Sequence, residues 1–263
     1  PDPAGDASRK TPGLDGKGWA VYRDGLRTLR GTVLRTEMYA MDGPPLDHKP
    51  YTVSESWSDV RAEQQGLDGT WIFFPHGDGS RTTQWERGDD PHHTYSFTGD
   101  YDAYGQPRLT ASVAVPRGRD PRVTQPGAPP YLATSGRTTY TAPVDTPMQY
   151  MVDRVATQEA FELRGDAGGS AGAFWEAVKR GAVEQTVMSR VETRYDGRDF
   201  EGLAVGILGE HGAPKRVDTL VLTEALAQAA YGVDRPAWLT GDTPGSEYPR
   251  AVVEALEARA ALL

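Results

Sequence analysis

Residues 168–172, Gly168-Gly169-Ser170-Ala171-Gly172, match G-x-S-x-G, the pattern of a nucleophile elbow. In an elbow the serine sits on a sharp turn between a strand and a helix. A strand-like FELR precedes the motif, and AFWEAVKRG, a short helix candidate, follows it. The acid and the base of such a triad come later in the chain, which leaves Asp199 and His211 as partners. Their spacing is tight, and no alternating strand–helix series surrounds the motif. Gly-Gly-Ser-Ala-Gly is also the composition of a flexible linker, and that reading is preferred.

Other groups with chemical potential are weaker. Asp89-Asp90-Pro91-His92-His93 offers metal-ligand residue types. Adjacent histidines on a strand point to opposite faces, so a solvated turn entering a strand is the better reading. Glu55, Glu63, Glu86 and Asp89 could pair as glycosidase carboxylates, but no spacing singles out two of them. Arg87-Gly88-Asp89 and Arg164-Gly165-Asp166 are RGD tripeptides, which recur by chance in a chain rich in these residues. Trp57, Trp71, Trp85, Tyr95 and Tyr101 form an aromatic series. They read either as a carbohydrate- or partner-binding face or, preferably, as the core of a thin sheet. No catalytic, cofactor-binding or metal site is assigned, and no cofactor is expected.

The composition sets limits on these readings. The chain has 263 residues and a net charge of -9, which argues against a nucleic-acid binder. There is no cysteine, so disulfides, thiolate metal sites and cysteine nucleophiles are excluded. Gly and Pro make up about a fifth of the residues, while Ile occurs only at positions 72 and 207. Six Trp and 12 Tyr offset the shortage of aliphatic residues and point to a thin, aromatic-heavy core. No apolar run approaches the roughly 20 residues that span a bilayer, so no membrane insertion is expected. The first residues show no signal-peptide layout. With no Met at the start and an apolar helical pattern still running at the end, the sequence reads as a piece of a longer chain.

The elements that must position these residues are mostly strands. Residues 1–18 are rich in Pro, Gly and Asp and read as a linker or frayed entry. Residues 19–164 form an all-β domain, with strands expected at 32–41, 51–60, 70–75 and 80–87, two more within 93–116, and others at 137–143 and 148–163. Polar alternation at this spacing predicts an antiparallel sheet wet on one face. Residues 165–172 read as a Gly-rich boundary. Residues 173–263 mix strands and helices. A helix is expected over 173–181, and a strand over 186–197 with Val187, Ser189, Val191, Thr193 and Tyr195 on one side. Residues 203–212 and 215–223 read as strands, one possible route being a strand leading into helix. Helices follow at 224–231, closed by Gly232, and after Ser246 with Pro249 in the first turn. Tyr101-Asp102-Ala103-Tyr104-Gly105 and Tyr195-Asp196-Gly197-Arg198 carry a hairpin signature. No fixed-period repeat is present.

Four motifs in order carry a family resemblance. They are LRTEMYAMDGPPLDHKPYTVSES (34–56), FFPHGDGSRTTQWERGDDP (73–91), FTGDYDAYGQPRLTASVAVPR (97–117) and GEHGAPKRVDTLVLTEALAQAAYG (209–232). Together they resemble the shell-forming middle region of the B component of bacterial insecticidal toxin complexes, the Tc toxins, over residues 26–250. The last motif is similar to the part just before the RHS/YD repeats. The resemblance implies a secreted virulence protein with a cytoplasmic stage before release. It implies as partners the β-propeller and RHS repeats of the same B component, the C component with its enclosed effector and, indirectly, the A component channel. Nothing matches the self-cleaving aspartyl site of the C component.

The fold expected is mainly β: a curved antiparallel sheet forming part of an RHS-type β-shell, with a few short helices in the C-terminal third. The function expected is non-enzymatic, a structural segment that helps enclose a toxic effector. The alternatives are a stand-alone carbohydrate- or partner-binding β-module and, further off, a serine hydrolase using Ser170.

Overall fold

The computed structural model describes residues 12–232 other than Asp42, Pro45, Arg87, Asp166 and Ala167. The chain divides into two compact units, residues 1–219 and 220–263. In the first, a single 3-10 turn (Pro12–Leu14) and helix α1 (Trp19–Arg27) precede the strands. Strands β1 (Arg35–Met38), β2 (Thr52–Gln65), β3 (Trp71–Gln84), β4 (His92–Tyr101), β5 (Pro107–Ala114) and β6 (Leu132–Tyr140) follow. Next come a small hairpin of β7 (Val144–Thr146) and β8 (Gln149–Met151), then β9 (Val155–Arg164), helix α2 (Ala171–Lys179), β10 (Glu184–Tyr195) and β11 (Pro214–Thr219). Nine strands form one open sheet in the order β1-β2-β3-β4-β5-β6-β9-β10-β11, and every pairing is antiparallel. In the second unit, α3 (Glu224–Tyr231) is capped by Thr223, whose hydroxyl accepts the Leu226 N–H at 3.2 Å, and it ends at Gly232.

The register explains the two faces. On one face a cross-strand row runs Trp57, Gly79, Phe97, Ala111, Ser135, Phe161, Val187. A neighbouring row runs Arg35, Glu55, Arg81, Tyr95, Val113, Ala133, Leu163. The apolar members of both rows form the core, sealed by Phe174, Trp175 and Val178 of α2. Phe97 stacks on Trp175 at 5.3 Å between ring centroids, and Trp57 meets Phe97 edge-on at 5.9 Å. On the opposite face a row runs Ser56, Ser80, Ser96, Ser112, Thr134, Glu162, Thr186. Ser96, Ser112, Thr134 and Thr186 of that row are exposed. Over β4, β5 and β6 the sheet has one dry and one wet face, as the polar alternation predicts; at β2 the second face is covered where the Pro12–Leu14 turn meets the buried Val60.

Several local expectations need correction. The strands expected at 70–75 and 80–87 are parts of one strand, β3 (Trp71–Gln84). Gly77 and Gly79 pair with Ser58 and Trp57, and the extra residue between them, Asp78, makes a bulge rather than a turn. Gly79 also makes room: a Cβ there would lie 2.5 Å from Trp57 Cζ2, so only a glycine lets the indole cross β3 to reach Phe97. The alternation expected in β10 is broken in the same way. A shift at Met188 puts Val187 opposite Phe161 and Ser189 opposite Ala160, on different faces. Helix α1 was not expected within 19–164; its one buried residue, Gly25, packs against Leu14 and Phe73, a contact remote in sequence. Residues 203–212 form turns rather than a strand. The hairpin signature at Tyr195 opens a long loop to β11 instead of a tight turn, whereas the one at Tyr101 is the turn between β4 and β5. The Gly-rich segment 165–172 joins β9 to α2 within the first unit. The helix expected after Ser246 and residues 1–11 of the entry segment 1–18 lie outside the described residues; the rest of that segment includes the Pro12–Leu14 turn with Leu14 buried.

Replacing Gly79 by alanine forces the Trp57 ring off Phe97 without any gain in burial. The expected loss is about 1–3 kcal/mol, the usual range for an overpacked core, read as a lower urea midpoint at unchanged slope. Trp175→Ala removes the central plate of the core and costs about 3–5 kcal/mol by the same measurement.

Candidate functional site

Ser170 is a helix cap. Its backbone is extended and its hydroxyl accepts the Ala173 N–H at 3.2 Å, at the first turn of α2. The glycines before it serve a clamp onto the 116–131 loop. The Gln125 N–H donates to Gly168 O at 2.7 Å, and the Ala171 N–H donates to Pro121 O at 2.8 Å. A Cβ on Gly168 would lie 2.6 Å from Gln125 O, and its φ of +74° is itself unfavourable for other residues. Arg119 and Tyr131 both donate to Gly169 O, at 2.7 and 2.9 Å, with the guanidinium 3.4 Å above the Tyr131 ring. The elbow pattern therefore marks a helix entry held by a buried arginine.

The residues that would complete a triad stand elsewhere. Lys215 donates to Asp199 at 2.5 Å. His211 lies beside Asp196, past the Tyr195 end of β10, whereas α2 leads into the Glu184 end of that strand. Asp196 organises the long loop to β11. Its Oδ2 accepts the Gly209 and Gly212 N–H groups at 2.8 and 2.9 Å, and its Oδ1 accepts that of Ala213 at 3.1 Å. Burial works to raise this carboxyl, but the N–H groups of Ala213, Gly209 and Gly212 outweigh it and hold the group below the usual carboxylate range.

The remaining sequence candidates are dispersed. Asp89 pairs with Lys49 at 2.9 Å, and Asp90 with Arg117 at 2.7 Å. His93 Nδ1 lies 3.0 Å from the Thr83 hydroxyl, and no cluster of three metal-ligand side chains occurs among the described residues. Glu63 accepts from Arg61 at 2.6 Å, while Glu86 lies just past β3 with φ +44°. The four carboxylates considered as a glycosidase pair thus answer to different neighbours. Of the aromatic series, Trp57 and Tyr95 belong to the core, Lys17 covers Trp71 at 4.2 Å, and Tyr101 packs on Phe74 and His76. Each RGD tripeptide has one member, Arg87 or Asp166, outside the described residues.

What the register does assemble is a charged concavity of about 410 Å³ where β2, β3 and β4 meet the 116–122 loop. Glu55 accepts from Arg35 at 2.7 Å and from Arg81 Nε at 2.8 Å, with a second bond from Arg81 Nη2. Arg81 Nη1 reaches the Tyr95 hydroxyl at 3.4 Å. Arg122 forms a two-pronged pair with Asp120, both bonds 2.9 Å. Burial, Arg81 and Arg122 push His93 down, against Asp120, which pulls it up. Burial likewise pushes His76 down, in the stack with Phe74 and Tyr101. The sequence reading missed this group, because Arg35, Glu55 and Arg81 lie far apart in the chain and meet only once the strand register is known.

Charges that neutralise each other across neighbouring strands hold a surface together. The fold is one open antiparallel sheet of nine strands with helix α2 packed on its apolar core. The family model for the insecticide toxin TcdB middle/C-terminal region matches residues 25–165. The chain belongs to that family. Among solved structures, one described as TcdB2-TccC3-Cdc42 superposes with a TM-score of 0.67 at 20% identity, over 81% of this chain and 11% of that one. One described as TcdB2-TccC3 without its hypervariable C-terminal region gives 0.65 at 20% identity, with the same coverage. At that identity the likeness is one of fold, and the chain spans about a tenth of those much longer proteins. No curated protein matches the chain.

Two outcomes test this account. Ser170→Ala costs about 1 kcal/mol of stability as a lost cap, and a fluorophosphonate probe labels neither the variant nor the parent chain; stoichiometric labelling that vanishes with the substitution would restore the nucleophile. Stability also falls with acid, in two stages. His93 and His76 have lowered folded values, so they favour the neutral fold above the ordinary histidine range and lose that contribution as pH drops through about 6.5 and below. Asp196, also lowered, contributes above the ordinary carboxylate range and is lost only in stronger acid. Asp196→Asn shrinks the second stage, to which Asp120, held down chiefly by Arg122, also contributes, and leaves the first, as read from urea midpoints across pH 3–8.

Proposed function

We propose that this chain is a non-enzymatic wall segment of the B component of a toxin complex, contributing sheet to the shell that encloses a toxic effector. The observation that carries the reading is the nine-stranded antiparallel sheet, open at β1 and β11 in the described residues. A wall needs continuity, edges that further strands can extend, and no chemistry of its own. Within the described sheet β1 and β11 are the outermost strands. Open edges are a liability in an isolated domain and an asset in a longer sheet that runs on in both directions.

The same reading assigns the partners. The β-propeller and the RHS/YD repeats of the parent chain flank the segment, the C component completes the shell and supplies the effector, and the A component channel is reached only through the assembled complex. The TcdB2-TccC3 structures, whose fold this chain shares, support the association with a C component. Secretion follows from membership of such a complex, after a cytoplasmic stage of assembly; among the described residues no helix is long and apolar enough to cross a membrane. The exposed Ser/Thr face offers short, well-hydrated side chains, suited to a surface that meets a polypeptide without holding it.

Electron cryo-microscopy of the native particle, captured with an antibody raised against this chain, tests the proposal. The expected result is a hollow particle in which β1 and β11 each pair with a further strand of the parent chain. A particle in which both edges face solvent, or one with no enclosed cavity, would overturn it.

A further inference from the structure

A second concavity, of about 320 Å³, lies at the turn between β4 and β5. Its walls are Ala103, Tyr104, Tyr140, Pro143 and Val152, with Asp102, Arg108, Thr139 and Thr141 as the polar groups. Tyr104 is 40% exposed, and Tyr150 of the β7–β8 hairpin meets it edge-on at 6.5 Å. The ring of Tyr140 is anchored by a hydroxyl bond to Pro107 O at 3.2 Å.

Two polar groups here are under-used. The Asp102 side chain is only 6% exposed. Its Oδ1 accepts the N–H groups of Tyr104 and Gln106, at 2.8 and 2.9 Å. Its Oδ2 faces Arg108 Nη2 at 3.8 Å, beyond the roughly 3.2 Å reach of a hydrogen bond. Thr141 is 4% exposed, and its hydroxyl has no hydrogen-bond partner. Buried polar atoms without partners cost free energy, and at the lining of a pocket they mark where a ligand's polar groups are wanted.

We propose that this pocket binds a neutral pyranose ring. The apolar C–H face of a sugar lies on the exposed Tyr104 ring. Adjacent ring hydroxyls donate to Asp102 Oδ2 and accept from Arg108, bridging a loose ion pair whose 3.8 Å separation leaves both groups without a hydrogen bond to each other. An anion is repelled by Asp102. A proline-rich peptide, the other usual occupant of an aromatic-lined groove, has no N–H at its prolines and offers Oδ2 fewer donors than a ring of hydroxyls. The volume lies at the small end of ligand sites and takes one ring, not a stretch of polymer. The proposal is independent of the shell reading, because the pocket is built from residues 102–152 alone.

Saturation-transfer NMR with the methyl glycosides of D-glucose, D-galactose and D-mannose tests it directly. At least one is expected to bind and to be displaced by its free sugar. Tyr104→Ala and Arg108→Ala each weaken binding about tenfold, the equivalent of 1.4 kcal/mol. Both side chains are substantially exposed, and unchanged circular dichroism spectra confirm that each variant folds. An array of immobilised glycans then separates a terminal glycan residue from a free saccharide as the source of the ring. Binding of none of these glycosides and no array glycan, binding that persists in both variants, or binding of a proline-rich peptide in their place would overturn the proposal.

Discussion

The sheet depends on one packing event, the seating of α2 over the row that runs from Trp57 to Val187. A nine-stranded sheet with one apolar face cannot stand in water with that face bare, since each buried aromatic or aliphatic side chain there contributes about 1.5–3 kcal/mol only when it is covered. Trp175 supplies the cover. It stacks on Phe97, which stacks in turn on Tyr95 at 5.8 Å, so one indole links the helix to two cross-strand rows at once. Everything that holds α2 in place serves that contact: the Ser170 cap, the Gly168–Gln125 bond and the Arg119 clamp on Gly169. The chain spends a buried arginine and two glycines on the entry to a nine-residue helix because that helix covers the core.

This also explains why the most suggestive motif in the sequence is structural. G-x-S-x-G asks for small residues around a serine at a strand-to-helix turn. A tight helix entry clamped against a neighbouring loop asks for the same thing. The glycines permit close backbone approach, and the serine satisfies a free N–H at the first turn. The two uses are indistinguishable in one dimension. They part only in the placement of Asp199 and His211, and that placement depends on β10 running from the end where α2 leaves to the opposite end of the sheet.

Strand identity and the wet face were legible in the sequence because they are local. Alternation of Ser/Thr with apolar residues in β4 and β5 reads directly as one face in and one face out. Bulges were not legible. At Asp78 and Met188 one inserted residue reverses the alternation, and only the partner strand shows where the insertion falls. Glycines such as Gly77 and Gly79 separate strands in a sequence as a turn would, yet here the close approach of Trp57 is what demands the missing Cβ at Gly79. The charged concavity was out of reach for a further reason. Arg35, Glu55 and Arg81 sit on successive strands joined by loops of unrelated length, so no spacing in the sequence predicts their meeting.

The distribution of charge across the sheet follows from its edges. Rows of the covered face are aromatic and aliphatic over the central strands, where α2 lies, and become ionic toward β1, where it does not reach. Arg35, Glu55 and Arg81 continue the row that Tyr95, Val113 and Leu163 make apolar. Alternating signs on adjacent strands attract at every step and need no lid, since each partner keeps part of its hydration. A sheet built this way is self-sufficient in its middle and extensible at its margin. A tenth strand beside β1 would require only backbone pairing and another opposite charge. That economy is what the wall segment proposed above would need at its margin.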